Sequence, residues 1–170
     1  MGERLQREFY RQDVLRVAPG LLGKHLVRVW PDGRRERFVI AETEAYRGEE
    51  DRACHACKGR TDRTEVMYGE GGRLYMYFIY GMYWMINVVA AEEGVPQAVL
   101  IRGLREVSGP GRLTRLLELD RDFYGEDLVT SNRIWVEESG NTPEYEAGPR
   151  IGINYAGSPW IEMPWRFLMR

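Results

Sequence analysis

Apolar and aromatic positions crowd into one almost uncharged stretch of the chain, Arg73–Val89, which holds four of its ten tyrosines. Aromatic and β-branched side chains of this kind suit a pleated, half-buried surface. Gly81 breaks the run, so the pattern predicts a hairpin: a strand over Leu74–Ile79, a tip at Tyr80–Met82 and a return strand over Tyr83–Ala90. Period two sets Tyr75, Tyr77 and Ile79 on one face and Met76 and Phe78 on the other. Tyr80 falls at the tip, where its own sheet cannot bury it. On this stretch alone, a hairpin packed into a core and an aromatic platform for a flat partner such as a nucleobase both remain open.

The rest of the chain reads as short elements. Leu5–Tyr10 is amphipathic. Asp13 is placed to cap a helix over Val14–Leu22, with Pro19 inside it and Gly23 as its stop. Lys24–Trp30 and Arg34–Tyr46 read as strands joined by Pro31-Asp32-Gly33, the second strand long and bent. Gln97–Gly103 is a buried strand ending near Arg102, and Arg112–Leu119 a helix behind Ser108-Gly109-Pro110-Gly111. Arg133–Glu137, Pro149–Asn154 and Arg166–Met169 are further strand candidates. Asp51–Cys57 reads as a short helix and Ser139–Ala147 as a loop. The expectation is one domain over residues 1–170, of α/β (α+β) class.

Composition narrows the choices. The 170 residues are 44% hydrophobic and 29% charged, with a net charge of −2. That balance argues against nucleic-acid binding by bulk charge alone, but not against a local basic face. No apolar run is long enough for a membrane span and no secretory h-region opens the chain, so a cytoplasmic protein is expected. Of the 24 basic residues only Lys24 and Lys58 are lysines. The single Cys54-His55-Ala56-Cys57 motif raises zinc and dithiol chemistry. Structural zinc wants four ligands, which two cysteines and two histidines scattered in sequence supply poorly, so two reduced thiols and no metal are expected.

Candidate chemistry sits on the bent strand. Alternation gives one face to Ile40, Glu42, Glu44 and Tyr46 and the other to Val39, Ala41, Thr43 and Ala45. Glu42 and Glu44 then lie roughly 7 Å apart. The arrangement fits a solvated sheet face, and equally a carboxylate held beside an aromatic ring as hydrolysis requires.

Several motifs in order resemble the alkyladenine (3-methyladenine) DNA glycosylase family of mammalian type, as distinct from the helix-hairpin-helix glycosylases. They are Glu42-Thr43-Glu44-Ala45-Tyr46; Asp51 through His55 with Gly59, Thr61 and Arg63; and Leu74-Tyr75-x-Tyr77-x-x-Tyr80-Gly81-Met82-Tyr83 with Asn87. Val99-Leu100-Ile101-Arg102, Ser108-Gly109-Pro110-Gly111-Arg112-Leu113, Arg150-Ile151-Gly152-Ile153 and Trp165-Arg166-Phe167 complete the set. Longer members carry a helical insertion after the strand ending at Arg102; here only Gly103–Val107 precedes the Ser-Gly-Pro-Gly turn.

The resemblance implies a curved, mostly antiparallel sheet with surrounding helices and a protruding, DNA-inserting hairpin. It implies Glu44 as the base that activates water, with Arg102 near that water and the DNA backbone. Tyr46, His55, Tyr77 and Asn87 would form the pocket for an extruded base, and Tyr80 the wedge that fills the gap. Apart from the resemblance, the low net charge leads us to expect Arg60, Arg63 and Arg112 to gather with Arg102 on the hairpin side as a local positive groove for the DNA backbone. The implied enzyme is a monofunctional glycosylase of base excision repair. It would act as a monomer on double-stranded DNA containing damaged purines, with no cofactor, membrane or obligate protein partner. Scarce lysine agrees with simple hydrolysis, because a glycosylase-lyase needs an amine for a Schiff base. A non-catalytic damaged-DNA sensor, or a hydrolase acting on a small molecule through Glu42 and Glu44, would keep parts of the same pattern.

Overall fold

The computed structural model describes residues 2–170. Its frame is a sheet in which all the strand pairings are antiparallel. The strands are β1 (His25–Val29), β2 (Arg35–Tyr46), β3 (Leu74–Ile79), β4 (Tyr83–Ala90), β5 (Gln97–Leu104), β6 (Ile134–Glu137), β7 (Tyr145–Gly148) and β8 (Arg166–Met169). The main path runs β3-β4-β5-β2-β1-β6, with β8 paired to β2 and β7 to β8. Among the described residues three α-helices accompany it: α1 (Arg7–Tyr10), α2 (Val14–Gly20) and α3 (Pro110–Leu116).

β2 is the rail that joins the two halves. Its first half pairs with β1 and its second half lies between β5 and β8. The register against β5 slips on either side of Glu42. Such an irregularity shifts the side-chain alternation by one residue. Phe38 and Ile40 before it, and Ala45 after it, therefore all belong to the main hydrophobic core. Thr43, also on the core side, donates its hydroxyl to the Ala18 carbonyl of α2 at 2.8 Å. Strict alternation had put Ile40 on the face of Glu42 and Glu44; the slip moves it to the core and leaves the two carboxylates with Tyr46.

Local signals explain much of the rest. The Asp13 carboxylate caps α2 by accepting the Leu15 N–H at 2.9 Å. Pro31-Asp32-Gly33 forms its turn, with Gly33 N–H on the Trp30 carbonyl and φ of +88°. In the β3–β4 hairpin, Tyr75 stands opposite Asn87, Tyr77 opposite Met85 and Ile79 opposite Tyr83. Leu74 and Met76 point into the main core, while Tyr75 joins a second cluster with Cys54, Met67 and Tyr68 on the other side of the sheet.

Three expected segments differ. Pro149–Asn154 is not a strand: Arg150 is buried, the Ile151 N–H is taken by a side chain and Gly152 has a φ of +76°. Asp51–Cys57 is not one helix but part of a loop with 3-10 turns at Gly48–Glu50 and His55–Lys58. There the Asp51 carboxylate captures the N–H groups of Arg47 and Ala53. The expected loop Ser139–Ala147 contains most of β7, which has β8 as its pairing partner.

Candidate active site

The second half of β2 delivers Glu44 and Tyr46 to the side of the sheet away from the helices. Glu44 is fully buried. Its Oε1 accepts the Tyr46 hydroxyl at 2.9 Å and its Oε2 accepts the Ile151 backbone N–H at 2.7 Å. Burial pushes the Glu44 carboxyl above its ordinary range; the Ile151 N–H, Arg102, the Tyr46 hydroxyl and Arg150 pull it part of the way back. Tyr46 is held well above the usual phenol range, first by burial and then by the Glu44 charge, so it stays a neutral donor.

The β3–β4 hairpin and the loop after β2 supply an aromatic chamber. Tyr46, His55, Tyr75, Tyr77, Asn87 and Tyr155 line it around a cavity of about 40 Å³. The His55 and Tyr77 rings meet edge to face with centroids 4.6 Å apart. His55 Nδ1 lies 2.8 Å from the Tyr75 hydroxyl. Burial, reinforced by the nearby charges of Arg63 and Lys58, pushes the imidazole down to about 4, so the ring is neutral near pH 7. Asn87 is buried and donates its side-chain N–H to the Tyr75 carbonyl at 3.1 Å, which fixes it directly across the hairpin.

The chamber opens into a cleft of about 790 Å³. Glu44 is the one carboxylate among the described lining residues, whereas Arg52, Lys58, Arg63 and Arg102 all contribute positive charge. Arg63 also stands 5.4 Å from the centre of the Tyr77 ring. Arg102 comes from β5, which runs on to Leu104, and its Nε pairs with Glu42 at 3.1 Å. Arg166 of β8 holds the same Glu42 oxygen at 2.8 Å, so Glu42 is engaged by two guanidinium groups. Tyr80 lines the cleft and is 83% exposed. Its φ of +56° and that of Gly81, +62°, are the left-handed values of a primed hairpin turn.

The sequence-derived residues do not all converge. Glu44, Tyr46, His55, Tyr77, Tyr80, Arg63 and Arg102 meet at the cleft, with Asn87 in the chamber behind. Arg60 sits 4.6 Å over the Tyr68 ring and pairs with Glu65, and Arg112 is an exposed residue of α3; both lie outside the cleft lining. Cys54 is buried, with its thiol pushed up to about 12, and Cys57 faces the cleft. Among the described residues no group of three or more His, Cys, Asp or Glu side chains is arranged to hold a metal.

Two features escape a reading of the sequence alone. Tyr155 borders both chamber and cleft and donates its hydroxyl to the Ala53 carbonyl at 2.9 Å. Arg150 and Asp51 form a fully buried bidentate pair, Nη1 to Oδ2 at 2.6 Å and Nη2 to Oδ1 at 3.0 Å. Their signal lay in the Asp51 and Arg150-Ile151-Gly152-Ile153 motifs, but 99 residues separate the partners.

The sequence profile of the methylpurine-DNA glycosylases matches residues 8–108 and 105–170. This chain belongs to the methylpurine-DNA glycosylase family. It is a DNA glycosylase, a hydrolase that cleaves N-glycosyl bonds. Relatives named "Putative 3-methyladenine DNA glycosylase" align with nearly all of it. One from a Wolbachia of Brugia malayi is 46% identical, over 98% of this chain and 97% of its own. One from Methanocella arvoryzae is 42% identical, over 96% of this chain and 90% of its own. A third, from Desulfitobacterium hafniense, is 42% identical over 98% and 95%. The matched region takes in the whole of the chamber and cleft.

Proposed function

We propose that this glycosylase removes alkylated or deaminated purines, 3-methyladenine among them, from duplex DNA. It extrudes the nucleotide and hydrolyses its glycosidic bond with water deprotonated by Glu44. The observation that carries the reading is a buried carboxylate, Glu44, at the junction between an aromatic chamber and a positively charged cleft.

A base stacked in a duplex must leave the helix before its glycosidic bond can be reached. Unstacking costs a few kcal/mol, least for a damaged base. Tyr80, exposed at the hairpin tip, fills the vacated space. Tyr46, His55 and Tyr77 receive the base, and Asn87 bounds the inner wall. A purine nucleotide alkylated at a ring nitrogen as in 3-methyladenine carries positive charge, which weakens its glycosidic bond. Aromatic faces favour that charge by ~1–2 kcal/mol when desolvated, and a neutral His55 adds no repulsion. As the bond breaks, the sugar gains oxocarbenium character. Glu44 opposes this charge and takes a proton from the attacking water; the water oxygen bonds the anomeric carbon and the bonding electrons leave with the purine. Arg63 and Arg102 hold phosphates. The product is an intact abasic site, made by a monomer acting without a cofactor in the cytoplasm, on nucleoid DNA.

No covalent enzyme intermediate is required. Lys24 is tied to Glu138, and Lys58 is an exposed residue of the cleft wall. With water as the nucleophile, borohydride trapping should yield no enzyme–DNA adduct; an adduct through Lys58 of the cleft wall would replace hydrolysis with lyase chemistry.

The decisive experiment is single-turnover cleavage of duplexes carrying one hypoxanthine or one ethenoadenine, with methylated DNA in parallel and alkali added afterwards. Wild type should give alkali-dependent breaks, and Glu44→Gln should lose about 10²-fold or more in rate while still binding the duplex. Selective binding with no breaks on any substrate would make the protein a damage sensor.

A further inference from the structure

Glu44 is not held by its strand alone. Ile151, a half-exposed residue of the cleft wall, gives it a backbone N–H at 2.7 Å, so its hold on the carboxylate is made by the main chain. What fixes that main chain is the preceding residue. Arg150 grips Asp51 with both prongs of its guanidinium and donates from Nη1 to the Ala45 carbonyl at 2.9 Å. The guanidinium also lies 4.8 Å from the Tyr46 ring centre and 5.0 Å from that of Trp165. Ala45, between Glu44 and Tyr46, thus has its carbonyl on Arg150 and its N–H on the Trp165 carbonyl at 2.8 Å. Asp51 in turn accepts from the backbone of Arg47 and Ala53, and Ala53 receives Tyr155. One ion pair thereby bolts together the end of β2, the loop that carries His55 and the segment that carries Ile151.

We propose that the buried Arg150–Asp51 pair is a positioning unit for Glu44: it holds the Ile151 N–H against the carboxylate and so sets the oxygen that faces water. The inference rests on the reading of Glu44 as the base. Removing two charges from water is expensive, and an apolar pair could fill the same space at lower cost; orientation of a reacting group is a reason to retain the ions. The groups facing Glu44 are Glu42 and Tyr46 on β2, Arg102 on β5, Arg166 opposite it on β8, Tyr77 on β3 and Arg150. Among the described residues two donors hydrogen-bond the Glu44 carboxylate: the Tyr46 hydroxyl comes from β2 itself, and the Ile151 N–H from the segment that the ion pair anchors.

The test removes that donor alone. Replacing Ile151 by its α-hydroxy acid turns the peptide N–H into an ester oxygen and leaves every side chain in place. Single-turnover cleavage of a hypoxanthine duplex would be followed from pH 5 to pH 9, together with duplex affinity. The expected result is a plateau rate lower by about tenfold or more, an acid limb moved to higher pH and unchanged affinity, as loss of a hydrogen bond to a charged group predicts. Arg150→Lys, which keeps the charge and gives up the fork, should lower the plateau likewise. If it fails to fold, the ester variant decides by itself. An ester variant with the wild-type rate and profile, beside an inactive Glu44→Gln, would overturn this inference alone; a fully active Glu44→Gln would overturn both readings.

Discussion

Glu44 concentrates the energetic conflict of the site in one side chain. Its carboxyl is raised by burial, so between the ordinary carboxylate range and its own titration point the folded protein holds a proton that the unfolded chain has released. Stability contributed by this residue therefore falls as pH rises through that window, the reverse of an ion-paired carboxylate. Glu44→Gln should melt higher than wild type at pH 8 and lose that advantage toward pH 4, which paired thermal scans at the two pH values will show. His55 has the opposite sign. Its imidazole is pushed down to about 4, so its neutral form favours the fold at neutral pH, and that contribution fades as pH drops from about 6.5 toward 4. An NMR titration should find this imidazole uncharged at pH 6, with a midpoint near 4. Alternation along β2 was enough to pair Glu44 with Tyr46. It failed at Ile40, because a register slip is set by the two neighbouring strands and leaves no mark in the local pattern.

At the scale of elements, the hairpin was legible because its aromatic period and central glycine agree with each other. The Ser139–Ala147 stretch was not, since Tyr145-Glu146-Ala147-Gly148 becomes β7 by pairing with β8 rather than through any propensity of its own. The hairpin tip also carries strain. Tyr80 has a left-handed φ of +56°, unfavourable for a bulky side chain, and stands 83% exposed with no packing in return. Glycine adopts that conformation freely. Tyr80→Gly should relieve about 1 kcal/mol of strain and so raise the melting temperature, while slowing excision from duplex DNA far more than from single strands. Equal slowing on both substrates would deny the tip its wedge role.

For the molecule as a whole, net charge concealed the feature that matters. A total of −2 suggests indifference to DNA, yet the cleft carries Arg52, Lys58, Arg63 and Arg102 against Glu44 alone. If about three or four of these neutralise phosphates, the logarithm of duplex affinity should fall against the logarithm of salt with a slope of about −3. Arg63→Ala should reduce the slope by about one, measured by anisotropy titration at several salt concentrations. The sequence displayed the arginines but not their sorting. Arg60 is drawn to Tyr68 and Glu65, whereas Arg52, assigned no role by motif, turns into the cleft.

A protein whose mouth is cationic while its total is anionic has a surface elsewhere that is more negative than the whole. Near a polyanion such a body feels a torque: its back is pushed away while its mouth is drawn in. Encounters are thereby turned cleft-first before any contact forms. At low ionic strength the molecule could travel along a duplex with its tyrosine tip already facing the grooves, and added salt would randomise the angle of approach as well as weaken the grip.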